Sequence, residues 1–124
     1  VTPAGLLLCD DLLFASKVTA TARAHGLAVA VVREAAKLAV GPGTRAVLLD
    51  LHNPTLDLAA VAGWVGAGVR VIAFGSHVDV DRLRAARAAG CTRVMPRSQF
   101  TAELEAGLPA WLGPLEQPPE HERP

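Results

Sequence analysis

The stretch that decides the fold is RAVLLDLHNP, Arg45–Pro54. Val47, Leu48 and Leu49 form an apolar run that stops abruptly at Asp50, His52 and Asn53, with Pro54 closing it. A buried strand that delivers a carboxylate at its C-terminal tip has this pattern. Four other runs end the same way: Leu6–Cys9 at Asp10-Asp11, Leu27–Val32 at Arg33-Glu34, Val69–Phe74 at Gly75-Ser76-His77, and Arg93–Met95 at Pro96-Arg97-Ser98. In an open parallel α/β sheet, ligands and chemistry gather at that carboxyl edge.

Between the runs the period changes from strand-like to helical. Phe14, Val18, Thr21 and His25 fall on one face of a helix stopped by Gly26. A short Ala-rich helix is expected over Glu34–Val40, closed by Gly41-Pro42-Gly43. A third is expected over Asp57–Val65, with Asp57 as cap and Leu58, Val61, Ala62 and Val65 inward. A fourth opens at Asp79 or Asp81, with Val80, Leu83, Ala86 and Ala88 or Ala89 inward. The last begins near Ser98 or Thr101, and Gly107 and Pro109 are expected to break it. Strict βα alternation requires right-handed crossovers. The expected fold is therefore a three-layer α/β/α sandwich on a five-stranded parallel sheet of flavodoxin-like order 2-1-3-4-5. One domain is expected over residues 1–112, and the Pro-rich 113–124 reads as a tail or linker.

Composition narrows the function. Twelve basic and twelve acidic side chains balance, so no global field draws in nucleic acid or an anionic membrane. No apolar stretch approaches the ~20 residues of a membrane span, and the start lacks the basic region of a signal peptide; a cytoplasmic location is expected. Cys9 reads as a small strand hydrophobe and Cys91 as a loop residue rather than as a disulfide. No glycine-rich phosphate loop follows any strand. In the 2-1-3-4-5 order the first and third strands are neighbours, which brings Asp10 and Asp11 beside Asp50. Three carboxylates in one crevice repel one another and call for a cation; hard oxygen ligands suit Mg²⁺, and Arg97 is a candidate from the fifth loop. The alternative is that Asp10 and Asp11 only cap the first helix while Asp50 is solvated.

In order and spacing, these residues resemble the receiver domains of bacterial two-component response regulators, from Gly5 to about Leu112. Asp10-Asp11 matches the family's acidic pair, Asp50 with Pro54 its phosphoacceptor and following proline, and Ala85–Gly90 the end of its fourth helix. The resemblance implies a Mg²⁺ site at Asp10, Asp11, Asp50 and the backbone carbonyl of His52. It also implies phosphoryl transfer to Asp50 from a partner kinase's histidine. The chain departs from the family pattern at the responsive half. Gly75 stands where the family has Thr or Ser, with Ser76 one residue late as the remaining hydroxyl. Arg97 replaces Lys with the neighbouring Pro transposed, and Val94 takes the aromatic switch position. Arg keeps the charge but not the reach of Lys. The expected function is a signalling domain acting by protein contact, with Asp50 a retained or vestigial acceptor, and not an enzyme beyond that acceptance. An acidic partner or a second copy would dock on Arg82, Arg84, Arg87 and Arg93, within the Arg82–Arg97 face. The competing reading is a small metal-dependent hydrolase or phosphatase built on Asp10, Asp11, Asp50, His52 and His77, the histidines as transition-metal ligands.

Overall fold

The computed structural model describes residues 3–113. Five parallel strands, β1 (Gly5–Leu8), β2 (Val29–Val32), β3 (Ala46–Asp50), β4 (Arg70–Gly75) and β5 (Arg93–Pro96), lie in the order β2-β1-β3-β4-β5. This is the order expected from the strand and helix alternation. β1 and β3 are buried along their whole length. That is why they read as unbroken aliphatic runs: a strand covered on both faces has no polar side to show.

Side-chain alternation sorts the core into two layers. Leu7, Leu48, Ile72 and Phe74 face α1 (Leu12–Ala24) and α4 (Arg97–Leu112). Leu6, Leu8, Val47, Leu49, Val71 and Ala73 face α2 (Val61–Gly66) and α3 (Val80–Ala88). Helices on both faces complete three layers. Gly26 (φ 71°) and Gly90 (φ 98°) hold the left-handed turns that stop α1 and α3, a conformation that costs a residue with a Cβ.

Three helices differ from their expected form. The helix expected over 34–40 is a single 3-10 turn, Ala35–Lys37. Seven residues are too few to offset helix nucleation, and Glu34 gives no side-chain cap; the Thr55 hydroxyl instead satisfies the free Ala35 N–H at the start of the turn (2.8 Å). The segment 57–65 splits into a 3-10 turn, Leu58–Ala60, capped by Asp57, and α2. Trp64, not Val65, packs inward there. The break expected at Gly107 and Pro109 does not occur: α4 runs through both. A mid-helix proline costs about 3 kcal/mol, but Leu108, Trp111 and Leu112 beyond Gly107 are buried, at roughly 1.5–3 kcal/mol per large side chain. Arg70 and Arg45 then hold the last carbonyls of α4, with Arg70 donating to Trp111 O (2.7 Å) and Gly113 O (3.2 Å) and Arg45 to Leu112 O (3.5 Å).

Two inner faces also shift. α1 buries Ala15, Val18 and Ala22, while His25 is exposed and meets Glu105 at 2.9 Å. α3 buries Leu83 and Ala86, and Val80 is 52% exposed. Among the described residues no helix is long and apolar enough to cross a membrane, and both cysteines are free thiols. The stretch 114–124, expected as tail or linker, lies outside the described residues.

Candidate functional site

Asp50 ends β3 at the carboxyl edge and is only 5% exposed. Its two oxygens are both engaged by this chain. Oδ1 accepts the His52 N–H at 2.9 Å, and Oδ2 lies 3.6 Å from the Cys9 thiol. The sheet register explains the second contact. Leu8 stands opposite Leu49, so the next pair up is Cys9 with Asp50, on the face that β1 and β3 share with α1. Burial, with the Asp50 charge adding to it, pushes the Cys9 thiol up to about 11. It therefore stays protonated and remains a donor.

Asp11 starts α1 as its N-cap, with Oδ1 accepting the Phe14 N–H at 3.1 Å. Its other oxygen, Oδ2, takes an Arg97 N–H at 2.7 Å. The Arg97 guanidinium lies 3.9 Å from the centre of the Phe14 ring, a cation–π seat. That ring belongs to a row in which Phe14 meets Phe74 and Phe100, and Phe100 stacks on Trp111. The hydrogen bond from Arg97 holds the Asp11 carboxyl below its usual range, and the Phe14 N–H assists. Arg97 thus meets Asp11, one member of the acidic pair.

Asp10 goes elsewhere. It is exposed and lines a cleft with residues of the β2 tip. Among the described residues no three His, Cys, Asp or Glu side chains are placed to hold a metal ion. The expected gathering of Asp10, Asp11 and Asp50 around one cation is therefore not the arrangement found. Mg²⁺ needs several free hard oxygens. Asp11 holds Arg97 on one oxygen and the Phe14 N–H on the other, Asp50 accepts the His52 N–H, and Asp10 lines a separate cleft, so Mg²⁺ at this edge would have to compete with Arg97 for Asp11. The hydrolase alternative loses its centre for the same reason: His77 is exposed and His52 has another task.

That task was not legible in the sequence. His52 Nε2 accepts the Ser76 N–H at 2.9 Å, tying the β3 tip to the β4 tip; in the neutral ring the proton is then on Nδ1. Ser76 uses its hydroxyl locally, accepting the Val78 N–H at 3.4 Å. Gly75 leaves room for a side chain: a Cβ there would meet Leu51 at 3.4 Å and His52 Nε2 at 3.5 Å, ordinary contact distances. A Cβ at position 75 is thus tolerated by its neighbours.

The expected basic patch is largely spent inside the molecule. Arg82 pairs with Asp79 (2.7 Å) and donates to Leu51 O (3.0 Å), clamping α3 to the β3 tip. Arg93 pairs with Glu103 (2.8 Å), and Arg84 lies 3.9 Å from Asp81. Arg84 and Arg87 remain as the outward part of that face.

Neither a protein-family model nor a curated protein matches the chain. Solved structures do. A phosphorylated cyanobacterial phytochrome response regulator superposes with TM-score 0.74 at 15% identity, over 95% of this chain and 99% of that one. A response regulator receiver protein from Burkholderia phymatum gives 0.71 at 22%, over 94% and 99%. The receiver domain of a sensor histidine kinase from Pseudomonas aeruginosa, with magnesium in its active-site cleft, gives 0.66 at 21%, over 92% and 100%. The chain has the receiver-domain fold. Within that fold Asp50 takes the tip of the central strand and Arg97 the start of the last helix. At the carboxyl edge Arg97 pairs with Asp11 in a solvent-exposed contact, while buried Asp50 accepts the His52 N–H and faces the Cys9 thiol.

Proposed function

We propose that this chain is a receiver-type signalling domain that works by contact with a partner protein, with Asp50 at the acceptor position and the acidic site neutralised from within by Arg97. The observation that carries this reading is the 2.7 Å pair between Arg97 and Asp11. A guanidinium tethered to the fold takes the place of a bound cation and does not leave when the medium changes. The partner is a histidine kinase or another signalling protein of the cytoplasm. Asp50 accepts a phosphoryl group poorly, because it is almost fully buried, its Oδ1 is held by the His52 N–H, and the nearby Asp11 is paired with Arg97.

A conformational response is weak for a related reason. A ligand shifts an equilibrium only by its differential affinity for two states. Gly75 offers no side chain to pull toward a new charge, and half-buried Val94 packs in the α2/α3 layer with no ring to swing. The test is backbone NMR of the chain with beryllofluoride and Mg²⁺, and with Mg²⁺ alone. Shifts no wider than the neighbours of Asp11, Asp50 and Arg97 are expected. Shifts reaching α3 and β5 would show a working switch and overturn the proposal.

A further inference from the structure

The acid pair that follows β1 is divided between two compartments. Asp11 belongs to Arg97, whereas Asp10 lines an open cleft of about 650 Å3 between the β2 tip and the loop after β3. The cleft sits beside the β2 tip and borders the β1/β3 reversal, with Asp10 from the loop after β1 and Pro54 and Thr55 from the loop after β3. There the chain reverses its direction of travel across the sheet, first outward to β2 and then back past β1 to β3. Open sheets of this order bind ligands at that reversal. The cleft is roomy because the β2–β3 connection holds one 3-10 turn where a full helix was expected.

Its lining combines three kinds of surface. Val31, 37% exposed, Val32 and Pro54 give an apolar wall. Arg33 and Lys37 bring two cations, and Glu34 joins Asp10 as a second carboxylate. Among the described residues none of these four charged side chains is in an ion pair, although pairs form on the other side of the site and on α3. Glu34 does not cap the turn it precedes. The walls are nevertheless fixed. Buried Asn53 donates to Arg33 O (3.0 Å) and its Oδ1 accepts the Thr55 hydroxyl (2.6 Å), while that hydroxyl's oxygen accepts the Ala35 N–H (2.8 Å). The cleft is open and its lining is as polar as it is apolar, with a volume within the range of small-molecule sites.

We propose that this cleft binds a small molecule of the nucleotide class. Its phosphate would sit between Arg33 and Lys37, its ring against Val31, Val32 and Pro54, and its hydroxyl or amino donors on Asp10 and Glu34. Arg and Lys are the side chains suited to phosphate oxygens, and an acidic side chain at a strand tip suits a ribose hydroxyl. Side chains replace the glycine-rich loop that the sequence lacks. Binding here is independent of phosphoryl acceptance at Asp50.

The test is titration of the full chain with AMP and GMP, followed by backbone NMR, with adenosine and inorganic phosphate as separate arms. Saturable shifts are expected at Val32–Lys37 and Thr55 for a nucleotide, with adenosine and phosphate each binding at least about tenfold more weakly. Arg33→Ala and Lys37→Ala, both exposed and so expected to fold, should each weaken nucleotide binding about tenfold. Four results would overturn the proposal: no saturable shift at these amides with either nucleotide, equal affinity for inorganic phosphate, shifts centred on Asp11 and Arg97, or binding unchanged in both variants.

Discussion

At the scale of single residues, Arg97 has the largest consequences. It reaches across from the start of α4 to a carboxylate that is also a helix cap, and it rests on an aromatic ring. Arg97→Met keeps most of the stem and removes the charge. The Asp11 carboxyl should then titrate closer to its ordinary value of 3.8, read by carboxyl 13C shifts. The sign for stability follows from a depressed native value. Asp11 contributes stability above its ordinary range and loses it as the pH falls through the lowered native one. The Asp11 part of the stability gap between native chain and variant should be present at pH 7 and close in acid. The same variant frees Asp11 Oδ2, so Mg²⁺ should shift the amides of residues 10–12 in the variant more than in the native chain. Equal responses would show that Arg97 does not guard the site.

At the scale of elements, local chemistry was legible and tertiary competition was not. Asp11, Asp57 and Asp79 all cap the turns they precede, because a cap depends on residues within a few positions. The five apolar runs give five strands and their order. The turn at Ala35–Lys37 was not legible because a stretch this short does not offset helix nucleation, whatever its alanine content. Val80 was misread as inward because the α3 face turns on Leu83 and Ala86, and a nine-residue helix leaves its first position outside. The parting of Asp10 from Asp11 leaves no periodic trace, since neighbouring loop residues have no fixed relative direction. α4 shows packing overriding propensity at a second position besides Pro109. A Cβ at Gly107 would lie 2.6 Å from the Trp111 ring, which is buried against Phe100. Gly107→Ala should therefore destabilise by about 1–3 kcal/mol although alanine is the better helix former. Urea denaturation measures this, and a stabilised variant would show that the ring moves aside freely.

At the scale of the whole molecule, the sheet separates two layers and its carboxyl edge separates two compartments. The compartment of Asp50 and Arg97 is spanned by contacts from β1, β3 and α4, while that of Asp10 is an open cleft. The remaining outward charge on α3, Arg84 and Arg87, is the face left for an acidic partner or a second copy. Replacing both with Ala should leave stability within about 0.5 kcal/mol, as exposed changes usually do, and should weaken any salt-sensitive association seen by sedimentation. An association state that is unchanged and insensitive to salt would return those residues to a merely solvated surface.

The aromatic row between α1 and α4 has an optical consequence. The sequence contains no tyrosine and two tryptophans, so the intrinsic emission of the chain comes from two indoles on opposite sides of the sheet. Trp111 lies stacked on Phe100 in an apolar setting, and Trp64 sits half-buried against the other layer. Trp64→Phe would leave a single chromophore at the end of the row that begins under Arg97. Its emission maximum and decay would then record events at the carboxyl edge without any attached dye.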